Sequence, residues 1–443
     1  MPLHLRSLPV ILMGSLVLGI PLARVNATEA YVVQVLYSFE NERPTSLIAV
    51  ADGTYLGTTL GAGTGSTGRV FRATSRGVVA TLAALSGDRG NDPGGVTVGG
   101  DGHLYGTTQF GSTTTGSIFR ISPRGTFEEL VRFRGLDGAR PWGGLLHATD
   151  GYLYGTTTSG GSGGVGTVFR LLPTGAGFET LHSFDTFDGA QPLGGLVEAA
   201  SGTLYGTTSL GGLHSGGTLF RITKTRQLET MVHLSRDTGS GWVFLTRTRG
   251  GDVVGTAQAG GDAEQGTFFR IGHDDQIHVL AAFGHESGSF PKGVVEGSGG
   301  LFFGVSEQGG SHNQGTMFRI DSEGAITALA AFDDTTGTKA RGLVVGADGQ
   351  LYGVAFAGGA KGFGSFFRAV RTPMASISLS SEGSVVTHWN TFHGGDYRLE
   401  FTPTLRAASW QPVLDRMATS DLTSVTNRFL NAPTGFFRVV LRP

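Results

Sequence analysis

Five side chains in this 443-residue chain stand where chemistry could gather: Trp142, Asp188, His214, Trp242 and His312. His214 and His312 fall in stretches bracketed by glycines, Gly211-Gly212 to Gly216-Gly217 and Gly309-Gly310 to Gly315. An imidazole in such a loop can hold a metal or move a proton near neutral pH, or it can simply be solvated. Asp188 belongs to a series of acids that includes Glu40, Glu42, Asp88, Asp92, Asp137, Asp185, Asp237, Glu286, Asp333 and Asp334. These acids either shape turns and pair with arginine, or form a ring that attracts cations or polar sugars. Paired carboxylates could cleave a glycosidic bond, which depends on a separation that sequence does not supply. Trp142 and Trp242 can stack on a sugar face or pack. No calcium-loop, His-Glu-x-x-His or phosphate-loop pattern accompanies these residues. The sequence therefore assigns no catalytic residue, no metal ligand and no cofactor.

What positions these residues is a repeat. The dipeptide Phe-Arg recurs at Phe71-Arg72, Phe119-Arg120, Phe169-Arg170, Phe220-Arg221, Phe269-Arg270, Phe318-Arg319 and Phe367-Arg368, with steps of 48, 50, 51, 49, 49 and 49 residues. A fixed period of this size marks a repeat architecture. Each unit reads as four strands. A short strand A, such as Leu196 to Ala199, leads through an Asp-Gly-type turn into strand B, the Leu-Tyr-Gly-Thr-Thr piece. A glycine-rich loop leads into strand C, the Phe-Arg piece. Strand D follows, rich in β-branched and aromatic residues. Asp-Gly between alternating strands is a strong hairpin signal, and it stands at Asp52-Gly53, Asp101-Gly102, Asp150-Gly151 and Asp348-Gly349.

Four-stranded units repeated this often build β-propellers. The ends of the array fit one another. The chain opens on a lone strand D, Tyr31 to Phe39, and the last unit has A, B and C (Leu343 to Val370) with no D after them. The expected fold is all-β: a seven-bladed propeller over residues 31–370, closed by the N-terminal strand, which removes open sheet edges. Strand A would lie nearest the axis, where residues without side chains fit. Phe and Tyr of the repeat would pack between blades. The repeated arginine would make a structural ion pair or carbonyl clamp. The B–C loops and D–A connections share one face, the usual place for a ligand. The fifth unit departs most, with Trp242-Val-Phe-Leu245 and Asp252-Val-Val-Gly-Thr256.

Composition bounds the rest. The 75 glycines come without the period or proline content of collagen, and 39% hydrophobic residues with a net charge of -2 do not describe a disordered chain. The near-neutral charge argues against nucleic acid. There is no cysteine, hence no disulfide and no thiolate site. Residues 1–27 resemble a secretory signal: His4 and Arg6, an apolar run from Leu8 to Leu22, then Val25-Asn26-Ala27. The run is short for a spanning helix, and the mature chain is expected to carry none. Residues 371–375 read as a linker. Residues 376–443 read as a β-sandwich-like module with Trp389, Tyr397, Phe401, Trp410, Phe429, Phe436 and Phe437 as its core.

Leu104-Tyr-Gly-Thr-Thr108, Gly143-Gly-Leu145 and Gly166-Thr-Val-Phe-Arg-Leu171 resemble the GloVer tandem repeat of exported bacterial proteins, a "choice-of-anchor" family. Val386-Thr-His-Trp389, Tyr397-Arg-Leu-Glu400, Trp410 and Phe436-Phe-Arg-Val439 resemble a β-module common at the ends of secreted bacterial proteins. The resemblance implies a secreted or cell-surface location and brings no catalytic residues. Three functions are compatible with it: an exported binding scaffold whose partner is an extracellular glycan or protein, a carbohydrate-active hydrolase or lyase, and a structural envelope protein. The oligomeric state is not legible, and a monomer is compatible.

Overall fold

The computed structural model describes residues 31–61, 68–86, 89–110, 114–223 and 225–371 apart from 273 and 275, together with Val10–Ile11 and the C-terminal strands. The signal-like segment beyond Val10–Ile11, the first B–C loop and the aromatic core expected of the C-terminal module lie outside the described residues. The chain divides into two compact units, Val33–Ala369 and the remainder.

The larger unit is seven four-stranded antiparallel sheets. Blade 1 runs Glu42–Ala49 (A), Thr54–Gly61 (B), Arg69–Thr74 (C) and Val79–Ala84 (D). Strand A of blades 2 to 6 is Asn91–Val98, Leu146–His147, Val197–Glu198, Ser240–Arg247 and Ser289–Glu296. Blade 7 joins Thr338–Val345, Leu351–Ala357 and Ser365–Arg371 to the N-terminal strand Tyr31–Ser38, in the sheet order D-C-B-A. The expected closure is therefore observed.

The closing strand uses the same contacts as every other strand D. Phe39 N–H donates to the Gly364 carbonyl at 3.0 Å, as Phe184 does to Gly166 and Phe332 to Gly315 at 3.0 and 2.9 Å. Neighbouring strands A touch from blade 7 to blade 1 as they do from blade 6 to blade 7. Phe39 is fully buried against Phe71 of blade 1, their ring centroids 5.4 Å apart.

The repeated phrase is a packing code. In strand B the glycine faces the phenylalanine of strand C, as Gly206 faces Phe220. A Cβ on Gly206 would lie 2.4 Å from Phe220 Cζ and 2.5 Å from Leu196 Cδ2. The glycine that opens strand C has a different reason. At Gly166 and Gly266, a Cβ would meet a strand-B carbonyl at 2.4 and 2.6 Å and the next blade's proline ring, Pro192 or Pro291, at 2.7 Å. Gly364 of blade 7 meets Pro44 of blade 1 in the same way. The threonines clamp: Thr157 and Thr167 hydroxyls lie 2.8 Å apart within blade 3, and Thr207 donates to the Val243 carbonyl of the next blade. Where strands A of blades 2 to 4 converge, glycines meet backbone to backbone, Gly95 against Gly144 and Gly143 against Gly194.

The repeated arginine makes ion pairs, with different acids from those anticipated. Arg120, Arg170 and Arg221 bind Glu128, Glu179 and Glu229 of their own strand D at 2.8, 2.8 and 2.7 Å, and Arg368 binds Gln34 of the closing strand. Of the D–A acids, Glu40 and Glu42 pair with Lys361 and Arg69, and others cap their own turns. The Asp137 carboxylate accepts from Arg134 N–H, and that of Asp333 from Thr335 and Thr336 N–H. At the opposite end of each blade, Asp101, Asp150 and Asp348 of the Asp-Gly turns accept from the hydroxyls of Tyr105, Tyr154 and Tyr352. Burial and the aspartate together push the Tyr105 hydroxyl up to about 12.

The smaller unit contains two antiparallel sheets. Ala375–Leu379, Val385–Asn390 and Leu422–Asn427 form one. The other comprises Val10–Ile11, Phe436–Leu441, Asp396–Thr402 and Gln411–Met417.

Candidate binding site where the strands A begin

The antiparallel order puts the start of strand A, the end of strand B and the B–C loop on one face. Trp142 enters blade 3 there and Trp242 enters blade 5. They come from blades that are not neighbours, yet their ring centroids are 6.3 Å apart at an interplanar angle of 59°. The rings therefore meet across blade 4, which carries Leu193 where blade 3 carries Trp142. Both are half-buried, so ring surface remains open.

A charged belt continues from Trp242 around the same face. Lys292, at the start of strand A in blade 6, places Nζ 4.4 Å from the Trp242 ring centroid and 3.1 Å from Glu307 Oε1. Glu307 also faces Arg341 of blade 7 at 3.7 Å. The Arg341 guanidinium lies 4.0 Å from the Phe356 ring centroid, and Arg43 of blade 1 approaches the same ring at 5.3 Å. Aromatic faces are attractive to cations, and the attraction grows when water is excluded. Two cations thus share one carboxylate at a largely buried site. Desolvation lowers Lys292 to about 8 despite Glu307, and lowers Arg341 as well. Arg341 Nε is buried with no hydrogen-bond acceptor among the described residues. Buried donors are almost always paired, so this Nε adds to the desolvation cost of the cluster.

The depressed lysine gives a pH signature. Its folded-state value lies below the unfolded one, so between about pH 8 and 10.5 the unfolded chain holds more protons. Stability from this group therefore rises with pH through that window, by up to about 3 kcal/mol. Denaturant titrations of the wild type and Lys292→Met should show the difference moving toward the wild type from pH 7.5 to pH 10; a pH-independent difference would remove Lys292 as the source.

The other three residues expected here do not join this arrangement. Asp188 is spent locally: it contacts His182 Nε2 at 2.7 Å and accepts from Asp185 N–H at 2.9 Å. His214 is exposed on the B–C loop of blade 4. His312 is exposed on that of blade 6, its Nδ1 3.1 Å from the Ser311 hydroxyl. Among the described residues no three His, Asp or Glu side chains converge as a metal site. Lys292, Glu307 and Arg341 escaped the sequence reading because each is an ordinary substitution within its own repeat. Their signal was positional: Lys292 and Arg341 both occupy the fourth residue of an eight-residue strand A, three residues before the aliphatic Val295 and Val344.

A family model described as "Gloeobacter/Verrucomicrobia repeat" matches residues 43–245 and 229–393. No curated protein matches the sequence. Among solved structures, a catalytically inactive virginiamycin B lyase from Staphylococcus aureus with quinupristin superposes with TM-score 0.56 at 14% identity, covering 77% of this chain and 99% of the other. A fungal alcohol oxidase of the AA5 family in complex with copper gives 0.53 at 13%, over 94% and 93%. Puromycin hydrolase gives 0.50 at 11%, over 81% of this chain and 60% of its own. At these identities the likeness shows the propeller fold alone. Among the described residues no helix is long and apolar enough to cross a membrane.

Proposed function

Given that the chain belongs to the Gloeobacter/Verrucomicrobia repeat family, we propose that it is an exported binding scaffold. In this reading, the face where the strands A begin takes an extracellular glycan. The observation that carries this is the pairing of Trp142 and Trp242 across blade 4, with Lys292 against the Trp242 ring. Open indole faces stack on sugar C–H faces. A rigid ring holds these groups in place before the ligand arrives, which lowers the entropic cost of binding. Binding is favoured over hydrolysis because Asp137, Asp188 and Asp333 of this face are committed to their own turns. Export rests on the signal-like residues 1–27, and the C-terminal module would then serve for attachment or spacing.

The test is affinity electrophoresis through gels containing soluble polysaccharides. The wild type should be retarded by at least one of them. The double variant Trp142→Ala/Trp242→Ala should fold and lose more than about tenfold in affinity. Retardation by none, or equal retardation of the double variant, would overturn the proposal.

A further inference from the structure

On the opposite face, where the A–B and C–D turns lie, a cavity of about 560 Å³ opens between blades 3 and 4. It takes no part in the Trp142–Trp242 site. Asp150, Tyr152, Arg170, Glu198, Ser201 and Arg226 line it. Two of its residues, Arg226 and Tyr152, break the repeat. The C–D turn places one residue at positive φ, closed by an N–H to carbonyl bond three residues back. That residue is Gly77, Gly125, Gly175 and Gly324 in blades 1, 2, 3 and 6, at φ 82, 86, 85 and 89. In blade 4 it is Arg226, at φ 66, making the same bond to Thr223. A side chain in this backbone region is strained, and strain of this kind concentrates at functional sites. Tyr152 stands where blades 2, 4 and 7 carry His103, Thr203 and Gln350.

The polar groups are held in place. The Arg170 guanidinium lies 4.2 Å from the Tyr152 ring centroid while Nε and Nη2 donate to Glu179. Glu198 is 8% exposed, and its carboxylate accepts from the N–H and hydroxyl of Thr149. Asp150 accepts from Tyr152 N–H and the Tyr154 hydroxyl. Arg226 is only 3.9 Å from Glu179, inside ion-pair range and outside hydrogen-bond reach, and is half exposed. The lining therefore combines an aromatic ring, fixed carboxylate acceptors and guanidinium donors, with two cationic and two anionic side chains.

The geometry points to a second binding site here, for a neutral sugar of one or two rings. Balanced charge disfavours an ion of either sign. Hydroxyls that both donate and accept satisfy carboxylates and guanidinium together, and the sugar's C–H face meets Tyr152, Leu204 and Ile222. The volume falls in the range of small-ligand sites.

The test is saturation-transfer NMR of the full chain with glucose, galactose, mannose, N-acetylglucosamine and their common disaccharides. At least one sugar should receive transfer at millimolar concentration. Arg226→Gly restores the repeat's own residue, so it should fold with an unchanged or higher Tm and bind about tenfold more weakly. Tyr152→Thr should weaken binding likewise, and both losses should recur in a Trp142→Ala/Trp242→Ala background, where the other face no longer contributes. Transfer to no sugar, or binding untouched by Arg226→Gly, would overturn the site. Binding lost only in the tryptophan variant would also overturn it, while leaving the site on the other face standing.

Discussion

Removal of Tyr31–Ser38 is expected to abolish the folded monomer. Blade 7 would keep three strands, and Ser365–Arg371 would present an open edge. An unpaired central-type strand templates association, so the truncated chain should elute as aggregates in size-exclusion chromatography. The single variant Phe39→Ala isolates the packing share. Phe39 is fully buried in a cluster with Phe71, Tyr55, Tyr352 and Phe366, which belong to blades 1 and 7. Its loss should cost about 3–5 kcal/mol in denaturant unfolding. A stable monomer lacking the strand would mean that the ring does not depend on it.

The second large effect concerns the glycine of strand B. Gly206→Val places carbon where Phe220 Cζ and Leu196 Cδ2 already lie within 2.5 Å of a Cβ. The phenylalanine is pinned between blades, so relief requires moving the seam. Overpacking of this kind should destabilise by about 3 kcal/mol. Gly284→Ala is the matched control. Its Cβ would meet nothing within 4 Å, and its φ is not in the left-handed region. It should be neutral or stabilise by up to about 1 kcal/mol, through the unfolded chain. Equal losses for the two variants would mean that the repeated glycine is there for backbone freedom, with no role in close packing.

These two predictions show which parts of the molecule sequence exposes. The fold was legible because a closed ring needs the same contacts seven times. Glycine opposite phenylalanine is written in all seven units, and glycine against the next proline and threonine across the seam in several of them, each at a fixed offset. Even closure was legible, because a missing last strand and a surplus first one are visible in the order of residues. The arginine's partner was less so. Acids occur both in the D–A connections and in strand D, and only the cross-strand register of Arg120 with Glu128 and Arg170 with Glu179 decides between them.

The candidate sites were legible only in part. Trp142 and Trp242 could be placed at the starts of strands A. That they meet across blade 4 depends on the curvature of the ring, which no local pattern records. Asp188 looked like a site residue because acids recur in its connection, yet a turn with free N–H groups claims its carboxylate first. Arg226 could have been noticed by aligning the C–D turns, where it displaces glycine. Its relation to Tyr152 and Glu198 joins two blades and three turns, and no local pattern carries it.

The binding role can be read from the two tryptophans themselves. The chain has four, so Trp389→Phe/Trp410→Phe leaves Trp142 and Trp242 as the emitters. Titrating this variant with a polysaccharide that retards the wild type should give a saturable change in emission, with the midpoint of the wild-type binding curve. Emission that stays constant while the polysaccharide saturates the protein would contradict the assignment of ligand binding to this face.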